Sequence, residues 1–219
     1  MNDLSLIQNN YKKLLSSLPD NVQLVVVSKT HSVESIQHIY DLGQKVFGEN
    51  RVQELLEKQA LLPQDIQWHL IGHLQTNKVK YIAPFIDLIQ SVDSPKILKE
   101  INRQAKIAER KIKVLLQVKI AAEDTKYGLS FEEARGLFNQ YLQGDFPYVK
   151  VTGLMGMATY TDDHIQITKE FSMLKKLFEE FNGKTELETL SMGMSGDFPV
   201  AIAAGATSIR VGSAIFGTR

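Results

Sequence analysis

Eight short apolar runs, each followed by a stretch with helical spacing, constrain this chain more than any other feature. The runs are "VQLVVVS" (22–28), "KVFGEN" (45–50), "IQWHLIG" (66–72), "FIDLIQSVD" (85–93), "IKVLLQVKI" (112–120), "VKVTGLMGM" (149–157), "LETLSMG" (187–193) and "SIRVG" (208–212). Most are rich in Val, Ile and Leu, with little clean alternation of apolar and polar residues. Parallel strands show this pattern, because their crossover helices cover both faces of the sheet. The segments between the runs read as helices. Ser94-Pro95 suits an N-cap and first turn, and after it Ile97, Leu98, Ile101, Ala105 and Ala108 fall on one face. "SFEE" (130–133) has capping-box spacing ahead of Leu137, Phe138 and Tyr141. Ile167, Phe171, Leu174, Phe178 and Phe181 form a further stripe before Gly183. Ser32 suits the cap of the helix after the first strand, and residues 2–17 predict an extra helix before it. This alternation in 219 residues predicts one α/β domain over 1–219, a (β/α)8 barrel of the TIM type. A doubly wound open sheet is the alternative. The second and eighth runs are short and carry the weakest strand signal.

Composition removes several function classes. Formal net charge is zero, so neither nucleic acid nor an acidic membrane is an expected partner. There is no cysteine, which excludes disulfides, thiol catalysis and zinc–thiolate sites and fits a reducing cytoplasm. "MNDLSLIQNNYKKLL" lacks the apolar run of a secretory signal, and no later segment is long and apolar enough to span a bilayer.

In either architecture the site lies at the C-terminal ends of the strands. Those ends carry Lys29, then Glu49 and Asn50, then His73, and finally "SMGMSGD" (191–197) and "VGSAIFG" (211–217). The last two loops stand where barrels commonly bind phosphate. Gly193, Gly196, Gly212 and Gly217 permit close backbone approach, and Ser191, Ser195 and Ser213 offer hydroxyls. A helix beginning near Asp197 would aim free N–H groups at an anion. Lys29 has two readings. It is either the first solvated residue of a loop, as lysine is rarely buried, or a desolvated amine at the mouth with a lowered pKa, able to attack a carbonyl. A phosphate site facing such an amine indicates an aldehyde or ketone that carries phosphate: pyridoxal phosphate, or a sugar phosphate in a Schiff-base aldolase. Arg210 either lies on the surface of a short strand or faces the mouth, where its guanidinium could donate to a pyridine nitrogen. An aldolase would need a general acid/base beside Lys29 instead, and no carboxylate stands out there.

The segments "VVVSKT", "FGENRVQE", "WHLIGHLQTNK", "GLMGMAT", "LSMGMSGDFPVAI" and "IRVGSAIFG" resemble the signature segments of the pyridoxal phosphate homeostasis proteins. The match runs through nearly the whole chain in order. The resemblance implies a single (β/α)8 barrel related to the N-terminal domain of fold-type III alanine racemases. It also implies pyridoxal 5′-phosphate as cofactor, held as an aldimine by Lys29. Arg210 would be the partner of the pyridine nitrogen. Ser195, Gly212 and Ser213 would bind the phosphate, and Asn50 would lie close to the ring. The five histidines are spread out with no carboxylate at metal-ligand spacing, so no metal site is expected. His73, Gln75, Asn77 and Lys78 cluster after the third run without assigned roles. Trp68 reads as core, and Tyr127-Gly128 as a loop with Lys126 solvated.

Two function classes remain open. One is a carrier that holds and delivers pyridoxal phosphate, with apo-enzymes as partners, as a cytoplasmic monomer. The other is a racemase-like enzyme dependent on the same cofactor. A two-base racemase needs a second acid/base on the opposite ring face, which the racemases take from a further domain and the neighbouring subunit. An arginine partner also leaves the ring a weak electron sink. Both points favour the carrier.

Overall fold

The computed structural model of the protein describes residues 3–122 and 127–217. Its strands are β1 (Gln23–Val27), β2 (Val46–Glu49), β3 (Gln67–Leu70), β4 (Leu88–Val92), β5 (Ile112–Val118), β6 (Val149–Gly156), β7 (Thr189–Ser191) and β8 (Ser208–Val211). All neighbours pair in parallel, and β1 pairs with β8, so the sheet closes into a barrel. The open-sheet alternative is thereby excluded. The helices are α1 (Asp3–Ser16), α2 (Val33–Asp41), α3 (Val52–Leu61), α4 (Val79–Ile82), α5 (Pro95–Ile107), α6 (Phe131–Leu142), α7 (His164–Asn182), α8 (Phe198–Ala203) and α9 (Ser213–Phe216). Each of the eight runs contains one strand. The two short ones hold four residues each, and β7 is shorter still at three.

Local chemistry explains the boundaries. Ser94 accepts the Ile97 amide at the start of α5, and Pro95 occupies its first turn. Ser130 and Glu133 form a complete capping box on α6. Ser32 accepts the Ser35 amide and starts α2. Lys126 lies outside the described residues.

The apolar core has two layers. The larger lies between strands and helices and holds Trp68, Phe47, Phe138, Phe171 and Phe181. Within it Phe138 of α6 stacks on Phe181 of α7, with ring centroids 4.0 Å apart. The smaller layer is inside the barrel and consists of Leu88, Leu115 and Met155, with Met157 against them. Gly153 is required where β6 meets β7: a Cβ there would lie 1.7 Å from the Thr189 carbonyl oxygen. Helix α1 lies beside α9 and α2. Asn10 donates to the Ile215 carbonyl at 3.1 Å, and Tyr11 donates to Gln44 at 3.1 Å. The extra helix thus anchors the short α9 that ends the last strand's loop. No helix among the described residues is long and apolar enough to cross a membrane.

Candidate functional site at the barrel mouth

The strand registers bring the residues after β1, β2, β7 and β8 to one end of the barrel. Val27 pairs with Gly48, which sets Lys29 level with Asn50 just beyond the two strands. Val26 pairs with Val211, which sets Gly212 and Ser213 beside Val27 and Ser28 on the other flank. Gly212 allows this approach, since a Cβ would lie 3.0 Å from the Val27 carbonyl oxygen. His31 stacks on Phe216 at 4.0 Å and ties the segment after Lys29 to α9.

Lys29 is exposed at this end, whereas Ser28 just before it is fully buried. Of the two readings of Lys29, the structure has the solvated one and not a desolvated amine. The reason is local: β1 stops at Val27, and Thr30 takes a left-handed backbone conformation, φ 65°, that turns the chain out of the barrel. Asn50 is half-buried, and its backbone packs on Gly72, where a Cβ would meet the Asn50 carbonyl oxygen at 2.3 Å. Glu49, placed with Asn50 by its position after the second run, is instead the last residue of β2 and is fully buried.

The glycine-rich loops differ from expectation in one respect. Helix α8 does start after Asp197, but it offers few free N–H groups. The Phe198 amide bonds back to the Met194 carbonyl at 2.9 Å, and Pro199 has no N–H. The open donors are elsewhere. The amides of Ser195, Gly196 and Ser213 have no acceptor among the described residues. Ser195 Oγ accepts the Ala214 amide at 3.3 Å and so joins the two loops. A side chain on Gly196 would meet only open space. Asp197 Oδ1 accepts the Met194 amide at 2.6 Å within the same turn.

Arg210 is not on the surface. It is 4% exposed and points into the barrel. Its Nη1 donates to Ser191 Oγ at 2.6 Å and its Nη2 to the Gly156 carbonyl at 3.0 Å. Arginine has donors only, which fixes the direction of every hydrogen bond beyond it. The Ser191 hydroxyl, having accepted, donates to Gln90 Oε1 at 2.7 Å. The Gln90 amide nitrogen then faces His69 Nδ1 at 3.0 Å, so that nitrogen accepts. His69 is the neutral tautomer with its proton on Nε2, directed to Asp87 at 3.6 Å. Burial also lowers the His69 pKa below the usual imidazole value. Burial pushes the Arg210 guanidinium down to about 10, which still leaves it a cation at neutral pH. One directed chain thus runs from Arg210 on β8 through β7 and β4 to β3, and such chains strengthen each member.

The His69 tautomer has a measurable consequence. The unfolded imidazole takes its proton near the usual value of about 6.5, while the folded one resists it. As pH falls below that value the unfolded state binds more protons, so stability is lost. The melting temperature is expected to fall between about pH 7 and about pH 5, and to fall less in His69→Asn, which keeps an acceptor but does not titrate. Identical pH profiles for the two proteins would show that His69 does not set this dependence.

Two groups of residues were not evident as site residues from sequence. One is the Gln90–His69 pair that continues the hydrogen-bond chain from Arg210 and Ser191, two polar residues within apolar runs. The other is Lys58 of α3, 5% exposed beneath the Lys29 turn. His73 pairs with Asp93 at 2.7 Å and stacks on Tyr127 at 4.3 Å, which places the "GHLQTNK" cluster on the rim after β3 and β4.

The fold and the site define a barrel of the alanine racemase N-terminal domain class, whose family model matches residues 2–219. A pyridoxal phosphate homeostasis protein of Aquifex aeolicus is 42% identical over 200 residues, covering 90% of this chain and 87% of that relative. The structure of PipY from Synechococcus elongatus without PLP is similar with a TM-score of 0.91 and 38% identity, covering 96% of this chain and 100% of PipY. The structure of PipY with PLP bound gives a TM-score of 0.88 and 37% identity, with the same coverage. The chain belongs to the pyridoxal phosphate homeostasis protein family.

Proposed function

We propose that the protein binds pyridoxal 5′-phosphate at this mouth and acts as its carrier in the cell, releasing it to apo-enzymes. The observation that carries the reading is the juxtaposition of an exposed lysine, a buried arginine with further donors, and a turn of open amides, all around one barrel end. The fit rests on donor chemistry. Three amides of Ser195, Gly196 and Ser213 with the Ser213 hydroxyl suit an anion, and the neighbouring Asp197 Oδ1 is engaged by the Met194 amide. Arg210 uses two of its five N–H groups on Ser191 and Gly156, so it can donate to a ring nitrogen as well. When bound, the cofactor supplies an aldehyde, with which a lysine amine can form a C=N bond as the carbonyl oxygen leaves as water.

The residues then divide the work. Lys29 holds the cofactor covalently and, being open to solvent, can be reached by amines that release it. Ser195, Gly212 and Ser213 would anchor the phosphate end, and Asn50 would lie close to the ring. Arg210 keeps its own proton and only donates, so the ring nitrogen stays unprotonated and the ring is a poor electron sink. That favours storage over turnover. The absence of cysteine is compatible with a reducing cytoplasm.

The test pairs delivery with turnover. The loaded protein is expected to restore activity to an apo-enzyme dependent on pyridoxal phosphate. In heavy water it is expected to exchange the α-proton of L-alanine and form D-alanine no faster than free pyridoxal phosphate does. Rapid formation of D-alanine that disappears in Lys29→Ala would overturn the carrier reading in favour of a racemase.

A further inference from the structure

Beneath the Lys29 turn lies a buried cluster of charge that the proposed binding does not use. Lys58 Nζ donates to the Ser28 carbonyl at 2.7 Å, to Glu49 Oε1 at 2.7 Å and to Glu54 Oε1 at 2.6 Å. All three of its protons are thereby engaged. Glu54 Oε1 also accepts the backbone amide of Thr30. The Ser28 hydroxyl donates to Glu49 Oε1 at 2.6 Å. The cluster therefore grips the residue before Lys29 at its carbonyl and hydroxyl, and the residue after it at its amide.

Stability does not account for a lysine at this place. The Lys58 side chain is 6% exposed and that of Glu49 0%. Buried ion pairs are often matched or bettered by apolar side chains of similar size, because desolvation offsets the attraction. Helix α3 already buries Leu55, and a leucine or methionine at position 58 would pack in the same layer. Burial pushes the Glu49 carboxyl up, against the pull of Lys58 and Ser28, and its Oε2 has no partner among the described residues. Meanwhile Thr30 holds a left-handed conformation that β-branched residues rarely adopt. A strained turn clamped on both sides by a desolvated cluster marks a functional constraint.

We propose that Lys58, bridging Glu49 and Glu54, is the positioning residue for Lys29: it fixes the backbone on either side so that the lysine stem leaves the barrel towards the bound aldehyde. The proposal rests on Lys29 being the covalent residue. Lys58 itself touches neither the cofactor nor the reacting atoms. Its contribution is to the geometry of attack, and it leaves the phosphate turn of β7 and β8 unaffected.

The test separates those two parts of the site. The rate at which the visible band grows after mixing with pyridoxal phosphate reports Lys29. Equilibrium binding of pyridoxine 5′-phosphate, which has no aldehyde, reports the ring and phosphate contacts alone. Lys58→Met is expected to slow band growth at least about tenfold, and Glu54→Ala about threefold, with pyridoxine 5′-phosphate affinity within about twofold of wild type. A purely structural role would weaken both measurements together, and that result overturns the proposal, as does band growth at the wild-type rate in both variants. Should Lys58→Met not fold, Glu54→Ala decides by the same two criteria, since Glu54 lies at the edge of the cluster with 22% of its side chain exposed. A wild-type protein that gives no visible band overturns the covalent assignment of Lys29 and this proposal with it. A wild-type band matched by the variants overturns the proposal alone.

Discussion

Lys29→Ala is expected to abolish the visible absorbance of the loaded protein and to weaken pyridoxal phosphate binding by about a hundredfold or more. A covalent C=N bond held close to its partner gains a large effective concentration over the same amine in solution. Among the described residues, no other lysine stands level with Asn50 at the end of β1, between β8 and β2. Lys119, the next lysine along the barrel's strand ends, lies after β5, away from the β8–β1–β2 sector. The substitution should leave the fold intact. The Lys58 cluster holds the backbone of Ser28 and Thr30 and not the exposed Lys29 side chain, and substitutions of exposed side chains usually change stability by less than about 0.5 kcal/mol. Absorbance, an unchanged melting temperature and calorimetric affinity together check this expectation. Retention of the visible band in the variant would move the covalent site elsewhere.

The second large effect concerns the phosphate. Pyridoxine 5′-phosphate and pyridoxine differ only in that group and lack the aldehyde, so their comparison isolates the turn of Ser195, Gly196 and Ser213. Charge-assisted hydrogen bonds contribute roughly 1.5–3 kcal/mol each. Two or three of them correspond to an affinity ratio of about a thousandfold, at about 1.4 kcal/mol per tenfold. Ser195→Ala should reduce that ratio, because its hydroxyl also accepts the Ala214 amide and so holds the two loops in register. Titration of both compounds into wild type and variant checks this. Equal affinity for the two compounds in the wild-type protein would show that these loops do not hold the phosphate.

Much of the barrel was legible because each parallel strand is buried on both faces and therefore reads as an apolar run. The caps of α2, α5 and α6 were legible for a local reason: Ser32, Ser94 and Ser130 act within three residues of themselves. The amides that could receive an anion were harder to place. Asp197 looked like the start of a helix with free donors, but Phe198 gives its amide to Met194 and Pro199 has none, so the open amides belong to the turn before the helix. Lys29 was visible as a charge closing an apolar strand, but the sequence left open whether it was solvated or buried, because that depends on the Thr30 turn. Lys58 was not distinguished at all. With Glu54 it has the i, i+4 spacing of an ordinary solvated helix pair. Only the packing of α3 beneath the ends of β1 and β2 buries it against Glu49 and Ser28. Glu49 was the available signal, a carboxylate inside the otherwise apolar "VFGE". The chain from Arg210 to His69 was hidden likewise, since Ser191, Gln90 and His69 lie on three strands far apart in sequence.

Whether this barrel holds pyridoxal phosphate through one particular lysine is open to a direct chemical measurement. The purified protein, loaded with pyridoxal phosphate, is reduced with borohydride, digested, and its peptides are weighed. A single pyridoxyl-phosphate group is expected, located on the peptide that contains Lys29. The same group on a peptide from elsewhere in the barrel, with the Lys29 peptide unmodified, would contradict the assignment.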